Sequence, residues 1–241
     1  MECLARTLRL SLQCWLYTDE HHIRLYRSLG RVRVLIGCEE SQVVTKAFRE
    51  RGHEAYSCDL KPCSGGHPEW HIQESLLDHL NNEWDLGIFH PPCTHIAVSG
   101  AAWFEEKIKD GRQQEGIDFF MEIVNAPINK IAIENPVCIM SSLFREPDQI
   151  IHPYYFGDEF SKTTCLWLKN LNPLIHAEEE DLFNKKEDIT HVGKGEFVVA
   201  KSGKKMAKWY SDSWGLSSEE RQKIRSKTFP GIANAMAEQW G

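Results

Sequence analysis

The chain has 241 residues and a mass of 27.8 kDa, enough for one domain with a substantial core and too short for two of full size. Its 41% hydrophobic and 26% charged residues exclude a disordered, collagen-like or coiled-coil chain. Lys and Arg number 28 against 35 Asp and Glu, a net charge of −7 that opposes nucleic-acid binding by bulk electrostatics.

Residues 1–31 show no periodicity continuous with the pattern that begins at Arg33 and are read as an N-terminal extension of unassigned role. Met1 to Tyr17 mixes apolar residues with Arg6 and Arg9 and lacks the continuous apolar core of a secretory signal. No apolar run approaches the roughly 20 residues of a bilayer span. The expected setting is the cytoplasm, without membrane contact. The eight cysteines (Cys3, Cys14, Cys38, Cys58, Cys63, Cys93, Cys138, Cys165) have no framework spacing, and a reducing compartment keeps them as thiols.

From Arg33 the pattern sharpens. Val34-Leu35-Ile36 predicts a buried strand, and Ser41 to Glu50, apolar at Val43, Val44, Ala47 and Phe48, predicts a helix closed by Gly52. His53 to Asp59 predicts a second strand, Glu74 to Leu80 a short helix, and Trp84 to Phe89 a third strand stopped by Pro91-Pro92. Ile108 to Val124 predicts a helix, Lys130 to Ile133 a strand ending at Glu134-Asn135-Pro136, and Cys165 to Lys169 a further strand. Ser217 to Gln239 predicts helical segments broken at Pro230-Gly231. This alternation predicts an α/β fold, a mostly parallel sheet with helices on both faces, whose ligands bind beyond the carboxyl ends of the strands. The chain divides into four regions: the extension at 1–31, a catalytic core at 32–169, a reduced basic segment at 170–210, and a C-terminal helical segment at 211–241 that returns to the core.

Chemistry-bearing residues sit directly after strands. Asp85 to Cys93 places a thiol beyond a buried strand in a loop stiffened by two prolines, which suits a nucleophile if the thiolate can form. A lone cysteine there is more often an ordinary small buried side chain. Ile131 to Pro136 delivers an acid from an apolar strand end, where burial is expected to raise its pKa and let it hold a proton near neutrality. A strand-end Glu that caps the next turn has the same sequence. Together, a loop Cys and a strand-end Glu at one sheet edge are the pair needed to add a thiolate to a pyrimidine ring while protonating its nitrogen.

The strand-loop-helix at Val34 to Phe48, the acid Asp59, Pro91-Pro92-Cys93 and Glu134-Asn135 together resemble the DNA cytosine-5 methyltransferases. The resemblance spans roughly residues 33–169 and, more weakly, Arg225 to Trp240. His90-Pro91-Pro92-Cys93-Thr94, Ser99-Gly100 and Trp167-Leu168-Lys169 are similar, more narrowly, to small methylase-like proteins of bacteriophages. The resemblance implies a Rossmann-like S-adenosylmethionine-dependent fold, a DNA substrate, a monomer in a bacterial host cytoplasm, and a role in self-protection from restriction. It makes Cys93 the nucleophile at C6 of a flipped cytosine, places Glu134 at N3, has Asn135 fix the Cys93 loop and lets Lys162 serve that loop or the base. For S-adenosylmethionine it implies the loop of Cys38, Glu39, Ser41 and Gln42, with Asp59 on the ribose hydroxyls, and Ile72, Gln73 and Pro91 nearby.

Three departures from the family stand in the sequence. Its glycine-rich first loop is replaced by Cys38-Glu39-Glu40-Ser41-Gln42. Its Gln-x-Arg-x-Arg motif aligns with Phe160 to Thr164, keeping one cation, Lys162, and losing the other at Thr164. Its large recognition region shrinks to residues 170–210. Two other readings stay open: a different pyrimidine C5 modification, on DNA or RNA, or a methylase-derived binding protein without turnover.

Between Lys185 and Lys227, 11 Lys and Arg face 6 Asp and Glu, a local +5 that leaves −12 for the remainder. Lys201, Lys204, Lys205 and Lys208, beside Trp209, Tyr210 and Trp214, pair phosphate-seeking cations with stacking side chains and form the expected nucleic-acid contact. A solvated lysine face beside core aromatics would look the same. Cys58, Cys63, His67 and His71 have a spacing compatible with zinc, but the run contains Asp59 and reads as a surface loop, so no metal is expected.

Overall fold

The computed structural model describes residues 30–176, 191–200, 203, 205–226 and 228–241. Most of the N-terminal extension, part of the basic segment, and Lys201 and Lys204 lie outside the described residues.

The alternating pattern folds as β1 (Arg33–Gly37), α1 (Val43–Glu50), β2 (Glu54–Cys58), β3 (His71–Ile72), β4 (Leu86–Phe89), α2 (Phe104–Lys109), α3 (Arg112–Val124), β5 (Lys130–Asn135), α4 (Met140–Leu143), β6 (Gln149–Ile151) and β7 (Thr164–Lys169). A hairpin of β8 (Phe197–Val199) and β9 (Lys205–Ala207) precedes α5 (Lys208–Asp212), α6 (Ser218–Ser226) and α7 (Pro230–Trp240). The main sheet has the order β3-β2-β1-β4-β5-β7-β6. Pairing is parallel from β3 to β5, and β7 runs antiparallel to both β5 and β6.

The near-continuous apolar strands are explained by burial on both faces. Val34, Ile36, Leu86, Ile88, Ala132, Leu166 and Leu168 meet α1 and α7 on one face, through Val44, Phe48, Ile232 and Met236. Leu35, Phe89, Ile131, Ile133 and Trp167 point the other way, toward Phe120 and Ile123 of α3.

Several elements differ from the sequence expectation. The helix expected over Ile108 to Val124 is two helices, because Gly111 takes φ 86° and Asp110 ends the first. The segments expected over Ser217 to Gln239 form α6 and α7, with Pro230 opening α7 at its first turn, where its missing N–H costs nothing. Glu74 to Leu80 holds a 3₁₀ turn at Leu76–His79. The short strands β3, β6, β8 and β9 carry too few residues for a period and were not expected.

Candidate active site

The sheet register aligns the chemistry. Gly37 stands level with Cys58 of β2 and Phe89 of β4, and Phe89 stands level with Ile133 of β5. The next residues, Cys38, Asp59, His90 and Glu134, therefore share one carboxyl edge. They straddle the point between β1 and β4 where strand order reverses, the usual ligand crevice of open α/β sheets.

The loop carrying Cys93 is tied down at several points. The His90 backbone N–H donates to Gly37 O at 3.0 Å, and Asn135 Nδ2 donates to Pro91 O at 3.0 Å from a nearly inaccessible position. The Ile96 and Ala97 amides return to Cys93 O, and Ala97 bridges Cys138. Lys107, buried on α2, donates from Nζ to Thr94 O at 2.7 Å. Replacing Lys107 by Met leaves that carbonyl without its donor, and the expected cost is about 1–3 kcal/mol by urea denaturation.

Glu134 is buried beside two groups able to carry positive charge. His90 Nδ1 lies 2.7 Å from Oε2 and Lys162 Nζ lies 3.8 Å from Oε1. Burial alone would raise the carboxyl pKa, but the Lys162 charge and the His90 hydrogen bond outweigh it and bring the value down to about 2. This corrects the expectation that burial leaves Glu134 protonated near neutrality: the sequence shows the apolar strand but not the partners that cross to it. Cys93 lies within electrostatic reach of the same groups. Burial, then the Glu134 charge, pushes its thiol up, while Lys162 and Lys107 pull it down.

Of the four residues expected in catalysis, Cys93, Glu134 and Lys162 converge, and Asn135 holds the loop. Two further residues contact this cluster. His90 opens the His-Pro-Pro-Cys-Thr run as the first residue after β4, a position to which the sequence alone gives no role. Lys107 has no sequence signal, because its burial depends on how α2 folds over the loop.

In the turn after β1, Cys38 and Gln42 adopt the left-handed backbone that glycine favours, with φ of 60° and 57°. The turn thus takes a glycine-like path without glycine, held by the Cys38 amide on Cys58 O at 2.7 Å. Its side chains serve the protein. Glu39 accepts from the Val44 and Thr45 amides and from Thr45 Oγ1, capping α1. Gln42 donates to His67 O and Ser57 Oγ and accepts from His67 N. Gly65 approaches so closely that a Cβ there would stand 2.6 Å from Ser41 O. Burial, then the Asp59 charge, pushes the Cys38 thiol up. Glu39→Ala is expected to cost about 1–2 kcal/mol in thermal or urea unfolding, since it removes a charged cap.

Asp59 Oδ1 accepts from Lys61 N, Gln73 Nε2 reaches Leu60 O at 3.5 Å, and Pro91 is buried. Because Glu39 occupies the α1 amides that would bind a phosphate, the crevice disfavours a nucleotide phosphate there. Asp59 places a side-chain hydrogen-bond acceptor at the same edge.

The expected nucleic-acid contacts are partly engaged within the protein. Lys208 pairs with Asp212 at 2.7 Å and Lys205 lies over Phe197. Trp209 donates to Ser161 O and packs on Phe160 and Phe229, and Arg225 covers Tyr210 at 3.9 Å. Trp209 and Tyr210 are thus packed within the protein, whereas Trp214 is exposed. Three of the four zinc-spaced residues are engaged separately, and Cys63 is a free, partly exposed thiol. Cys58 is buried near Glu74 O, His71 bonds Ser57 and Lys61 O, and His67 stacks on Trp70. Among the described residues no group of three or more His, Cys, Asp or Glu is arranged to hold a metal ion, and no helix is long and apolar enough to cross a membrane.

No protein-family model and no curated protein matches the chain. Among solved structures, it is similar to a prophage-encoded E. coli protein named as a candidate DNA modification methyltransferase, with 15% identity and a TM-score of 0.38. The match covers 57% of this chain and 46% of that one, so the chain spans less than half of its structural neighbour.

Proposed function

We propose that the protein is an S-adenosylmethionine-dependent methyltransferase acting on C5 of cytosine in DNA. The observation that carries this reading is the convergence of Cys93, Glu134 and Lys162 at the carboxyl ends of β4 and β5.

Attack of the Cys93 sulfur on C6 forms an S–C6 bond and makes C5 nucleophilic as a proton reaches N3. The thiol loses one proton and N3 gains one. Glu134, which faces Cys93 electrostatically, is the group able to carry it. Its carboxylate relays that proton to N3 in step with S–C6 bond formation and stays ionised between turnovers. Lys162 steadies negative charge on whichever partner holds it. Asn135, through Pro91, keeps the nucleophile in place. When bound, S-adenosylmethionine supplies a methyl group activated by its sulfonium; Asp59 would take its ribose hydroxyls and the backbone of 38–42 its amino-acid end. Loss of the C5 proton to water then expels the Cys93 thiolate, and N3 returns its proton through Glu134 to the sulfur, which restores both the ring and the thiol.

The test is base-level mapping of modified cytosines in DNA from cells expressing the protein, with labelled methyl transfer in vitro. New 5-methylcytosine at a defined site is the expected result. DNA binding without transfer would favour a binding protein without turnover.

A second reading has its own observation. Glu134 is held ionised, and an ionised carboxylate accepts from the N3–H of a uracil-type ring but needs a proton to meet cytosine N3. Trapping on 5-fluorouracil substrates, RNA included, in preference to 5-fluorocytosine DNA would select that reading.

A further inference from the structure

Glu134 has one partner on each oxygen, and the two partners differ in kind. Lys162 comes from the segment before β7 and faces Oε1 at 3.8 Å, as a point charge on a flexible stem. His90 follows β4 directly and meets Oε2 at 2.7 Å with a planar ring. The His90 and Glu134 side chains are only 8% and 7% exposed. An ionised carboxylate has no hydrogen to give, so Nδ1 of His90 must carry the hydrogen of this contact, which fixes the tautomer.

The last torsion of a Glu side chain is broad, so burial alone does not set the plane of its carboxyl group. A charge at 3.8 Å does not set it either. The short bond to His90 does, and His90 is itself anchored by its amide on Gly37 O and by Pro91 next in the chain. His90 therefore links the end of β1, the Cys93 loop and the acid of β5.

We propose that His90 is a positioning residue that acts through Glu134, holding Oε2 so that Oε1, on the Lys162 side, is the oxygen presented to the pyrimidine ring nitrogen. This rests on the methyltransferase reading for its substrate, but the contact can be tested without turnover.

The experiment follows the Glu134 carboxyl carbon by NMR in full-length protein labelled with ¹³C-glutamate, assigned by its loss in Glu134→Gln. In wild type the signal stays at its ionised position from pH 8 down to about 4, consistent with the low pKa. In His90→Ala the midpoint is expected to rise by about one pH unit or more. His90→Asn, which keeps an amide donor near the position of Nδ1, should hold it close to wild type. If His90→Ala does not fold, His90→Leu fills the volume without the donor and serves the same comparison. With the turnover assay, His90→Ala should lower kcat about 100-fold with KM little changed, and His90→Asn should recover most of it. An unchanged Glu134 midpoint in the Ala or Leu variant overturns the proposal. A shifted midpoint in a protein whose wild type transfers no methyl group supports the His90 role and overturns the methyltransferase reading instead.

Discussion

Cys93→Ala is expected to lower methyl transfer to DNA on the order of 10⁴-fold or more while the protein remains folded. Cys93 supplies the sulfur that bonds C6 in the proposed route, so its removal abolishes the covalent step rather than slowing it. The change removes one sulfur from a partly exposed loop position, and the ties that shape the loop, from Asn135, Lys107 and the Ala97 bridge, do not involve that sulfur. The direct measurement is trapping on 5-fluorocytosine DNA, where fluorine at C5 blocks the final loss of a proton and leaves the enzyme attached. Wild type should give a denaturation-resistant adduct and Cys93→Ala none. An adduct that persists in the variant would assign the nucleophile elsewhere.

The fold was legible where two faces of the sheet needed covering. Val34 to Ile36, Lys130 to Ile133 and Cys165 to Lys169 each read as a strand, and their apolar residues, buried on both faces, form the centre of the sheet. The edge strands β3 and β6 were not legible, because two or three residues leave no period to detect. At the site, residues that follow strands could be read because sheet geometry alone brings them to one edge. Partners that arrive by packing could not. Lys107 reaches Thr94 O only because α2 folds back over the loop, and the Gln42 amide meets His67 only because the loop after β2 closes on the first turn. The sign of the Glu134 shift failed for the same reason. An apolar strand announces desolvation, while the partners that reverse its effect come from 28 and 44 residues away.

Glu134→Gln separates two effects that a damaged or misfolded site would combine. Methyl transfer should fall by about 10²- to 10⁴-fold, because glutamine can neither receive the thiol proton nor pass one to N3. Alkylation of Cys93 by iodoacetamide should change in the opposite direction. The thiol pKa is raised by burial first and by the Glu134 charge second, so the neutral variant removes one of the two causes and leaves Lys162 and Lys107 favouring the thiolate. Below the thiol pKa, the thiolate fraction rises tenfold for each unit by which pH approaches it, so lowering the pKa increases that fraction at any fixed pH in this range. The rate profile for Cys93, read by mass spectrometry of the modified peptide, should therefore move to lower pH in Glu134→Gln. A protein whose transfer falls while its nucleophile becomes more reactive has lost the proton carrier rather than the attacking group. Slower alkylation together with slower transfer would mean that Glu134 shapes the loop, and the carrier role would be withdrawn.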